Sequence, residues 1–403
     1  MSTRALVLQS TALSNKEGPA LFAGVAGFFF VFRACLTFLF FQANPVAATV
    51  LITVCDLALA YGAVLYSAGR RTHRWEEFWR VTPIRWIVAY LVFSLASVCW
   101  TGAQSTVAAG GYWAGMAADV VIVLLLLRGD APRAVEGVMK GMVWGAAALA
   151  VIAWCSPETA DLRLGNDEFL HPNTLGMELG LSAMVGQYLA PRAMRWKLLT
   201  VILAITLLRT LSKTAIVAFV IAECWYLVRN NSMTRRAKMG LLIAGLLVVA
   251  CFWGLFSSYL DVYNNTGSGD QAETLTGRTV LWSAALSMSL EKPWFGHGIY
   301  SFKALIPILG GFAAVHAHND VLQQFFEYGL VGVVFAVGIH WFFLRHVRRA
   351  VAGELRTLAL TLFLFALLHG LTDTVPFGFS YPLWLLAPLS FCLAQPANGE
   401  VQP

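Results

Sequence analysis

Long apolar stretches separated by short polar segments dominate the pattern along the chain. Apolar stretches of about 17 to 25 residues are long enough to cross a bilayer core of about 30 Å as α-helices. We predict twelve spans, of which the seventh and eighth are short, near residues 21–41, 46–67, 86–102, 107–127, 136–155, 174–190, 197–209, 214–228, 238–258, 320–344, 353–371 and 377–395. The pattern therefore predicts an all-α, polytopic membrane protein in which residues 1–403 form one membrane domain.

One polar segment is much longer than the others. It occupies residues 259–319, between the ninth and tenth spans. Within it, Trp282, Leu286 and Leu290 recur at a spacing of four, which is typical of an amphipathic helix at a membrane surface. We expect this loop to contain short helices and to carry the chemistry of the protein.

The basic residues predict the orientation of the spans. If the N-terminus is cytoplasmic, 20 of the 28 Lys and Arg residues fall in cytoplasmic segments. The opposite orientation would place nearly all of them outside, against the positive-inside rule. Both termini are therefore expected in the cytoplasm, and the long loop on the outer face.

Composition supports a membrane protein and argues against nucleic-acid binding. The chain is 58% apolar and 12% charged, and an average soluble domain has about twice that charged fraction. The net charge of +6 comes from basic residues dispersed among short loops. They do not cluster with exposed aromatic residues as a nucleic-acid site requires.

Eight basic residues have no topological explanation, because they lie outside the cytoplasmic segments or inside a span. They are Arg33, Lys140, Arg163, Arg209, Lys213, Arg278, Lys292 and Lys303. Arg33 lies in the middle of the first span and must be paired, with Asp56 or Asp119 as the expected partners. That ion pair is either structural or functional, and the sequence leaves both readings open.

Three of these cations suggest an anion site on the outer face. Arg209 and Lys213 flank the short connection between the seventh and eighth spans, where they suit either a phosphate group or a role as interfacial anchors. Arg278 follows Thr276 and Gly277 at the start of the predicted loop helix. A cation is unusual at a helix N-terminus, which itself attracts anions, so a shared anionic ligand would explain it.

The long loop ends in His316-Ala317-His318-Asn319. A His-x-His pair resembles half of a metal site, but the sequence places no further Cys or His at supporting spacing, so no metal is expected. Histidine also accepts protons near neutral pH. We therefore expect His318 to act as a base beside cations that hold an anion.

This combination predicts a reaction in which a hydroxyl group attacks and a phosphate or pyrophosphate leaves. Outside the cytoplasm the usual activated donor is a sugar linked to a polyprenyl phosphate. The residues alone therefore favour a lipid-linked glycosyltransferase.

Four motifs resemble segments of the O-antigen ligase and polymerase superfamily. The most specific is HNDVLQQFFEYGLVG, in which His-Asn is followed by nine residues and Gly-x-x-Gly. It resembles the signature of the O-antigen ligases. The other motifs are HPNTLG, LRTLSKTAI, and TGRTVLW with KPWFGHGIYSF. Together the resemblance covers about residues 170–335.

The resemblance implies an enzyme that transfers O-antigen polysaccharide from undecaprenyl pyrophosphate to a sugar of lipid A-core. It places the protein in the bacterial inner membrane, with the active site on the periplasmic side. By motif position, His318 is the catalytic base, and Arg209, Arg278 and Lys213 bind the diphosphate, although relatives often carry Arg at position 213. His316, Asn319 and Glu178 are possible supporting residues. The family implies no cofactor and no metal, and its mechanism inverts the anomeric centre.

Two alternatives remain open at this stage. An O-antigen or exopolysaccharide polymerase would use the same donor with a second lipid-linked glycan as the acceptor. A lipid-linked oligosaccharide transporter would carry its charged residues along a central path through the bilayer, whereas here they concentrate on one face. The roles of Arg33, Asp56, Asp119, His297 and Asp373 cannot be assigned from the sequence.

Overall fold

The computed structural model describes residues 20–33, 35–36, 45–69, 72–156, 163–165, 171–229, 275–306, 314–374 and 380–395, with a few positions between 234 and 257. All regular elements in these ranges are helical. They are α1 (Ala20–Arg33), α2 (Pro45–Gly69), α3 (Trp75–Arg80), α4 (Thr82–Ala96), α5 (Thr106–Cys155), α6 (Pro172–Leu189), α7 (Met194–Arg209), α8 (Lys213–Arg229), α9 (Leu275–Glu291), α10 (Phe302–Leu305), α11 (Asp320–Arg349), α12 (Glu354–Gly370) and α13 (Leu383–Ala394). Short 3₁₀ helices follow α4 and α6. Most of the ninth predicted span, 238–258, lies outside the described residues.

The helical class of the protein is confirmed. Within the described ranges, four segments are long and apolar enough to cross a membrane, namely Val50–Gly69, Thr82–Trp100, Thr106–Cys155 and Asp320–Arg349. Helices α1 and α13 are apolar but shorter, and α6, α7, α8 and α12 coincide with other predicted spans. The count of twelve spans and the placement of the long loop stay predictions.

Helix α5 folds back on itself. A straight helix of 50 residues would be about 75 Å long and would separate Asp119 from Gly145 by about 39 Å. Both positions nevertheless contact α1 near its end: Asp119 binds Arg33, and Gly145 packs against Phe28. The reversal occurs at Asp130, whose φ and ψ of −148° and 90° are not helical. The two halves correspond to the fourth and fifth predicted spans.

Arg33 is paired inside the bundle, as its position in the first span requires. Its guanidinium donates two hydrogen bonds to the carboxylate of Asp119, at 2.8 and 2.6 Å. The carboxylate of Asp56 lies 3.7 Å from the same guanidinium. Both expected partners are therefore present, and the partly buried cation is held by opposite charges on two other helices.

Helix α11 is interrupted at Gly329, where φ is 64° and ψ is −159°. The preceding segment of the long loop, residues 293–298, fills the interruption with four backbone hydrogen bonds. The amides of Leu330 and Val331 donate to carbonyls of Pro293 and Trp294, at 2.7 and 3.3 Å. In the opposite direction, the amides of residues 297 and 298 donate to carbonyls of residues 326 and 327, at 2.9 and 2.7 Å. These bonds satisfy backbone groups that a broken membrane helix would otherwise leave unpaired.

The predicted cytoplasmic segments meet at one end of the bundle. The amide of Thr72 donates to the carbonyl of Arg128 at 3.0 Å, and the ring of Phe78 stacks on that of Phe391. His346, near the C-terminal end of α11, bonds to the carbonyl of Ser390 at 2.8 Å. His318 lies just before the N-terminal end of α11, which is the opposite end of this helix. Among the described residues, these contacts therefore lie at one end of the bundle, and the candidate site lies at the opposite end of α11.

Candidate active site

His318 lies two residues before α11, and its side chain meets Asp373, which follows α12. The Nδ1 atom of His318 is 3.0 Å from Oδ1 of Asp373. The φ of His318 is 50°, in a region that residues with a β-carbon seldom adopt and that recurs at functional sites. We assign the proton between these atoms to Nδ1, because an ionised carboxylate can only accept. The Nε2 atom then keeps its lone pair and can take a proton.

The Asp373 carboxylate is buried and ionised. Its Oδ1 atom also accepts the backbone amide of Thr374 at 2.8 Å. Burial by itself raises the pKa of this carboxyl group, but the hydrogen bond from His318 and the imidazoles of His318, His369 and His316 outweigh burial and lower the pKa well below its usual range. The charge is therefore present at neutral pH and fixes the orientation of the His318 ring.

His316 supports the same loop. Its Nδ1 atom accepts the backbone amide of His318 at 3.3 Å, and the centroids of the two rings are 4.2 Å apart. Burial lowers the pKa of His316 well below its ordinary value, and the adjacent His318 acts in the same direction. His316 is therefore a neutral imidazole at neutral pH.

Arg278 approaches this pair from the first turn of α9. Its guanidinium donates to the backbone carbonyl of Thr372, the residue next to Asp373. Its Nε atom is buried and has no hydrogen-bond partner among the described residues. The indole of Trp282, one turn further along α9, donates to the carbonyl of Ala317 at 2.8 Å. Helix α9 is thus fixed to the His-Ala-His segment, and a cation with an unused donor lies beside the base.

The connection between α7 and α8 borders the same region. The hydroxyl groups of Thr372 and Thr214 form a hydrogen bond of 3.1 Å, which places the N-terminal turn of α8 next to the Asp373 segment. Lys213 opens that helix and is exposed, whereas Arg209 ends α7 and is buried. Between them Leu211 has a φ of 52°. The tight turn sets both cations at the end of the bundle that carries His318.

Arg163 is a residue of this region to which the sequence assigned no role. It is 5% exposed, and its Nε atom donates to the carbonyl of Thr210 at 3.2 Å. Its terminal nitrogen donates to the side-chain oxygen of Asn173 at 2.5 Å. Arg163 therefore joins the turn between Arg209 and Lys213 to the start of α6. Its place among the eight unexplained cations was the available signal, but the sequence does not show that its partners are Asn173, 10 residues away, and Thr210, 47 residues away.

Asn319 and Asp320 attach the start of α11 to the end of α12 and to the segment that precedes α13. The Asn319 side chain caps α11 by accepting the amide of Leu322 at 2.9 Å, and it donates to the carbonyl of Leu371 at 2.8 Å. The Asp320 carboxylate accepts the amide of Ser380 at 3.1 Å. These contacts give Asn319 a positioning role one residue from the base.

Two other residues that the sequence singled out lie elsewhere. Glu178, in the middle of α6, interacts electrostatically with Arg33, and among the described contacts none joins it to His318. His297 is buried against Phe326, with ring centroids 4.8 Å apart, and its Nε2 atom bonds to the carbonyl of Met288 at 2.9 Å. Both contacts of His297 stabilise the long loop.

The His-x-His pair has a third potential metal ligand that only the folded chain reveals. His316, His318 and Asp373 each offer one ligand atom, and these atoms lie within 4.8 Å of one another. The sequence supplied two of the three, and Asp373 comes from a segment about fifty residues further along the chain. The same three side chains therefore suit either a base with its orienting carboxylate or a metal ion.

Comparisons with known proteins agree with the motifs. Residues 198–337 match the family model described as O-Antigen ligase, a region that contains Arg209, Lys213, Arg278 and His318. An O-antigen ligase of Pseudomonas aeruginosa is 24% identical over 194 residues, which are 44% of this chain and 45% of that protein. The match thus spans less than half of the length of that relative. Over these regions the chain is therefore similar to O-antigen ligases.

Proposed function

We propose that this protein transfers O-antigen polysaccharide from undecaprenyl pyrophosphate to a sugar hydroxyl of lipid A-core, on the periplasmic face of the inner membrane. The observation that carries the proposal is the combination of an oriented imidazole, His318 with Asp373, and the unused guanidinium donor of Arg278 beside it. The match of residues 198–337 to the O-antigen ligase family model, and the similarity to an O-antigen ligase, support the substrate class.

In the proposed reaction, His318 acts as a general base. Its Nε2 atom accepts the proton of the acceptor hydroxyl as the hydroxyl oxygen forms a bond to the anomeric carbon of the donor sugar. The bond between that carbon and the pyrophosphate oxygen breaks, and undecaprenyl pyrophosphate leaves with the electron pair. Asp373 stabilises the imidazolium that forms, as a carboxylate does behind a catalytic histidine. One direct displacement inverts the anomeric configuration and needs no nucleophilic carboxylate.

The cations of the site bind the leaving group. Negative charge grows on the pyrophosphate as the glycosidic bond breaks, and a preorganised guanidinium stabilises that charge most in the transition state. Arg278 has a buried donor available for a phosphate oxygen, and we assign it this role. Arg209 and Lys213, at the neighbouring turn, bind the rest of the diphosphate as a planar fork and a point charge.

Reconstitution tests this function. The purified protein is placed in vesicles with lipid-linked O-antigen and rough lipopolysaccharide, and capped lipopolysaccharide is separated from longer lipid-linked chains. We expect capped product from the wild type and from His73→Gln, a variant at the opposite end of the bundle, but not from His318→Ala. Capped product from His318→Ala at the wild-type rate would exclude the assigned base.

The same assay separates the rival functions. Longer lipid-linked chains without capped product would make the protein a polymerase, which needs the same donor site and a different acceptor. Capping that is lost in EDTA and restored by a divalent metal would exclude the metal-independent mechanism. Movement of the donor across the vesicle membrane without a new glycosidic bond would make it a transporter.

A further inference from the structure

The ligand atoms of His316, His318 and Asp373 are close enough for a small metal ion to draw them together. Their separations of up to 4.8 Å compare with about 3.4 Å between ligand atoms around a tetrahedral zinc ion with bonds of about 2.0 to 2.2 Å. Side-chain rotations that move each ligand atom by a few tenths of an ångström to about 1 Å would bring the three atoms to zinc-binding distances. The backbone turn at His318, with its φ of 50°, brings two histidines that are one residue apart into ring contact.

The ligand types select the metal. Two imidazole nitrogens and one carboxylate oxygen suit zinc, whereas magnesium and calcium prefer oxygen ligands throughout. Three protein ligands also leave a fourth coordination position open, as in zinc sites that exchange their remaining ligand. Arg278 donates a hydrogen bond to Thr372, the residue next to Asp373. Its positive charge therefore opposes the binding of a metal cation at this site. We therefore expect reversible binding and not a permanent structural zinc.

We propose that His316, His318 and Asp373 bind one zinc ion, and that the bound ion inhibits glycan transfer. Zinc coordination takes the imidazole lone pair or the Asp373 oxygen that the catalytic arrangement uses, so His318 can no longer accept a proton from the acceptor. The inhibition rests on the proposed function. The zinc site itself rests only on the three ligands.

Zinc binding is measured first, without reference to activity. The full-length protein in lipid nanodiscs is stripped with EDTA, exchanged into metal-free buffer and titrated with zinc chloride by calorimetry. We expect one saturable site, weakened at least tenfold in His316→Gln and in Asp373→Asn. His73→Gln is the matched control, because His73 also lies beside a carboxylate, that of Glu77 at 2.7 Å, at the opposite end of the bundle. Absence of saturable binding, or His316→Gln binding as tightly as the wild type, would overturn the site.

Transfer is measured second, with zinc and then with EDTA. We expect zinc to suppress capping at the concentrations that saturate the site, and EDTA to restore it, while magnesium chloride has no effect. Stimulation by zinc would overturn the inhibition. A protein that binds zinc through these residues but never forms capped product would support the site while contradicting both the inhibition and the proposed function.

Discussion

The carboxylate of Asp373 holds Nδ1 of His318 at 3.0 Å, across 55 residues of sequence. Asp373→Asn replaces the acceptor with an amide that can donate to Nδ1 and so favour the wrong tautomer. We expect kcat to fall by roughly 100-fold or more with little change in KM, by analogy with losses on changing the residue that orients a metal ligand or a catalytic histidine. Steady-state rates of capping in vesicles measure this, and a kcat within threefold of the wild type would contradict the dyad.

Arg278→Ala removes a partly buried guanidinium from the segment next to the His318–Asp373 pair. We expect kcat/KM to fall by about 10² to 10³, the usual effect of removing one preorganised donor from a site where negative charge develops. Arg278→Lys keeps the charge without the planar fork and should recover part of the rate. Lys292→Ala, an exposed cation just after the other end of α9, is the control and should stay near the wild-type value.

Arg163→Ala tests the residue that ties the Thr210 turn to Asn173. Hydrogen bonds to charged groups contribute about 1.5 to 3 kcal/mol each, so loosening the turn should raise KM for the lipid-linked donor by about tenfold or more, with a smaller effect on kcat. A decrease in kcat alone, with KM unchanged, would show that Arg163 does not act through the donor site. Thermal unfolding of the variant separates this effect from a general loss of stability.

Gly329→Ala should destabilise the protein strongly. Its φ of 64° and ψ of −159° belong to a region that only glycine adopts readily, which costs other residues about 1 to 3 kcal/mol. A β-carbon there would also lie 2.4 Å from backbone atoms of Trp294. Gly353→Ala is the control, since nothing lies within 4 Å of its β-carbon position. A melting temperature equal to that of the control would show that α11 is not interrupted in this way.

The depressed pKa of His316 predicts how stability depends on pH. Below about pH 6.5 the unfolded chain protonates this residue whereas the folded protein does not. Stability therefore falls as the pH drops, by up to about 1.4 kcal/mol per pH unit, until the folded pKa is reached. His316→Gln removes that contribution. Melting temperatures of the variant should decline less steeply between pH 6.5 and pH 5 than those of the wild type, and equal slopes would contradict a buried neutral imidazole.

How far sequence could predict the site depends on the distance between partners along the chain. Hydrophobic length located α8, α11 and α12 within a few residues, because a span is a local property. The assignment of basic residues to cytoplasmic segments singled out Arg33 and Arg278, because a cation outside those segments can be recognised from the sequence alone. The partner of His318 was not visible. Asp373 follows a different span, and only the packing of α11 against α12 makes the two residues neighbours.

The backbone hydrogen bonds exchanged at Gly329 could not be predicted from the sequence for the same reason, since their partners lie far apart along the chain. The two segments that they join, KPWFGHGI and the Gly-x-x-Gly of the signature, were each recognised as motifs, but periodicity treats each segment alone. The sequence therefore predicted an uninterrupted tenth span. Closing the interruption requires carbonyls of Pro293 and Trp294 to face amides more than thirty residues away, and no local pattern records that contact.

The number of residues between Asn319 and Gly329, which is nine, sets the position of His318 relative to the interruption of α11. These residues form a half-helix of two and a half turns, about 13.5 Å long, capped at one end by Asn319 and closed at the other by the exchange of backbone bonds. Adding or removing one residue would turn His318 by about 100° around the helix axis and move it about 1.5 Å along it. The contact with Asp373 would then be lost although every catalytic side chain remained. The number of residues in this interval is therefore constrained more tightly than the identity of many of them.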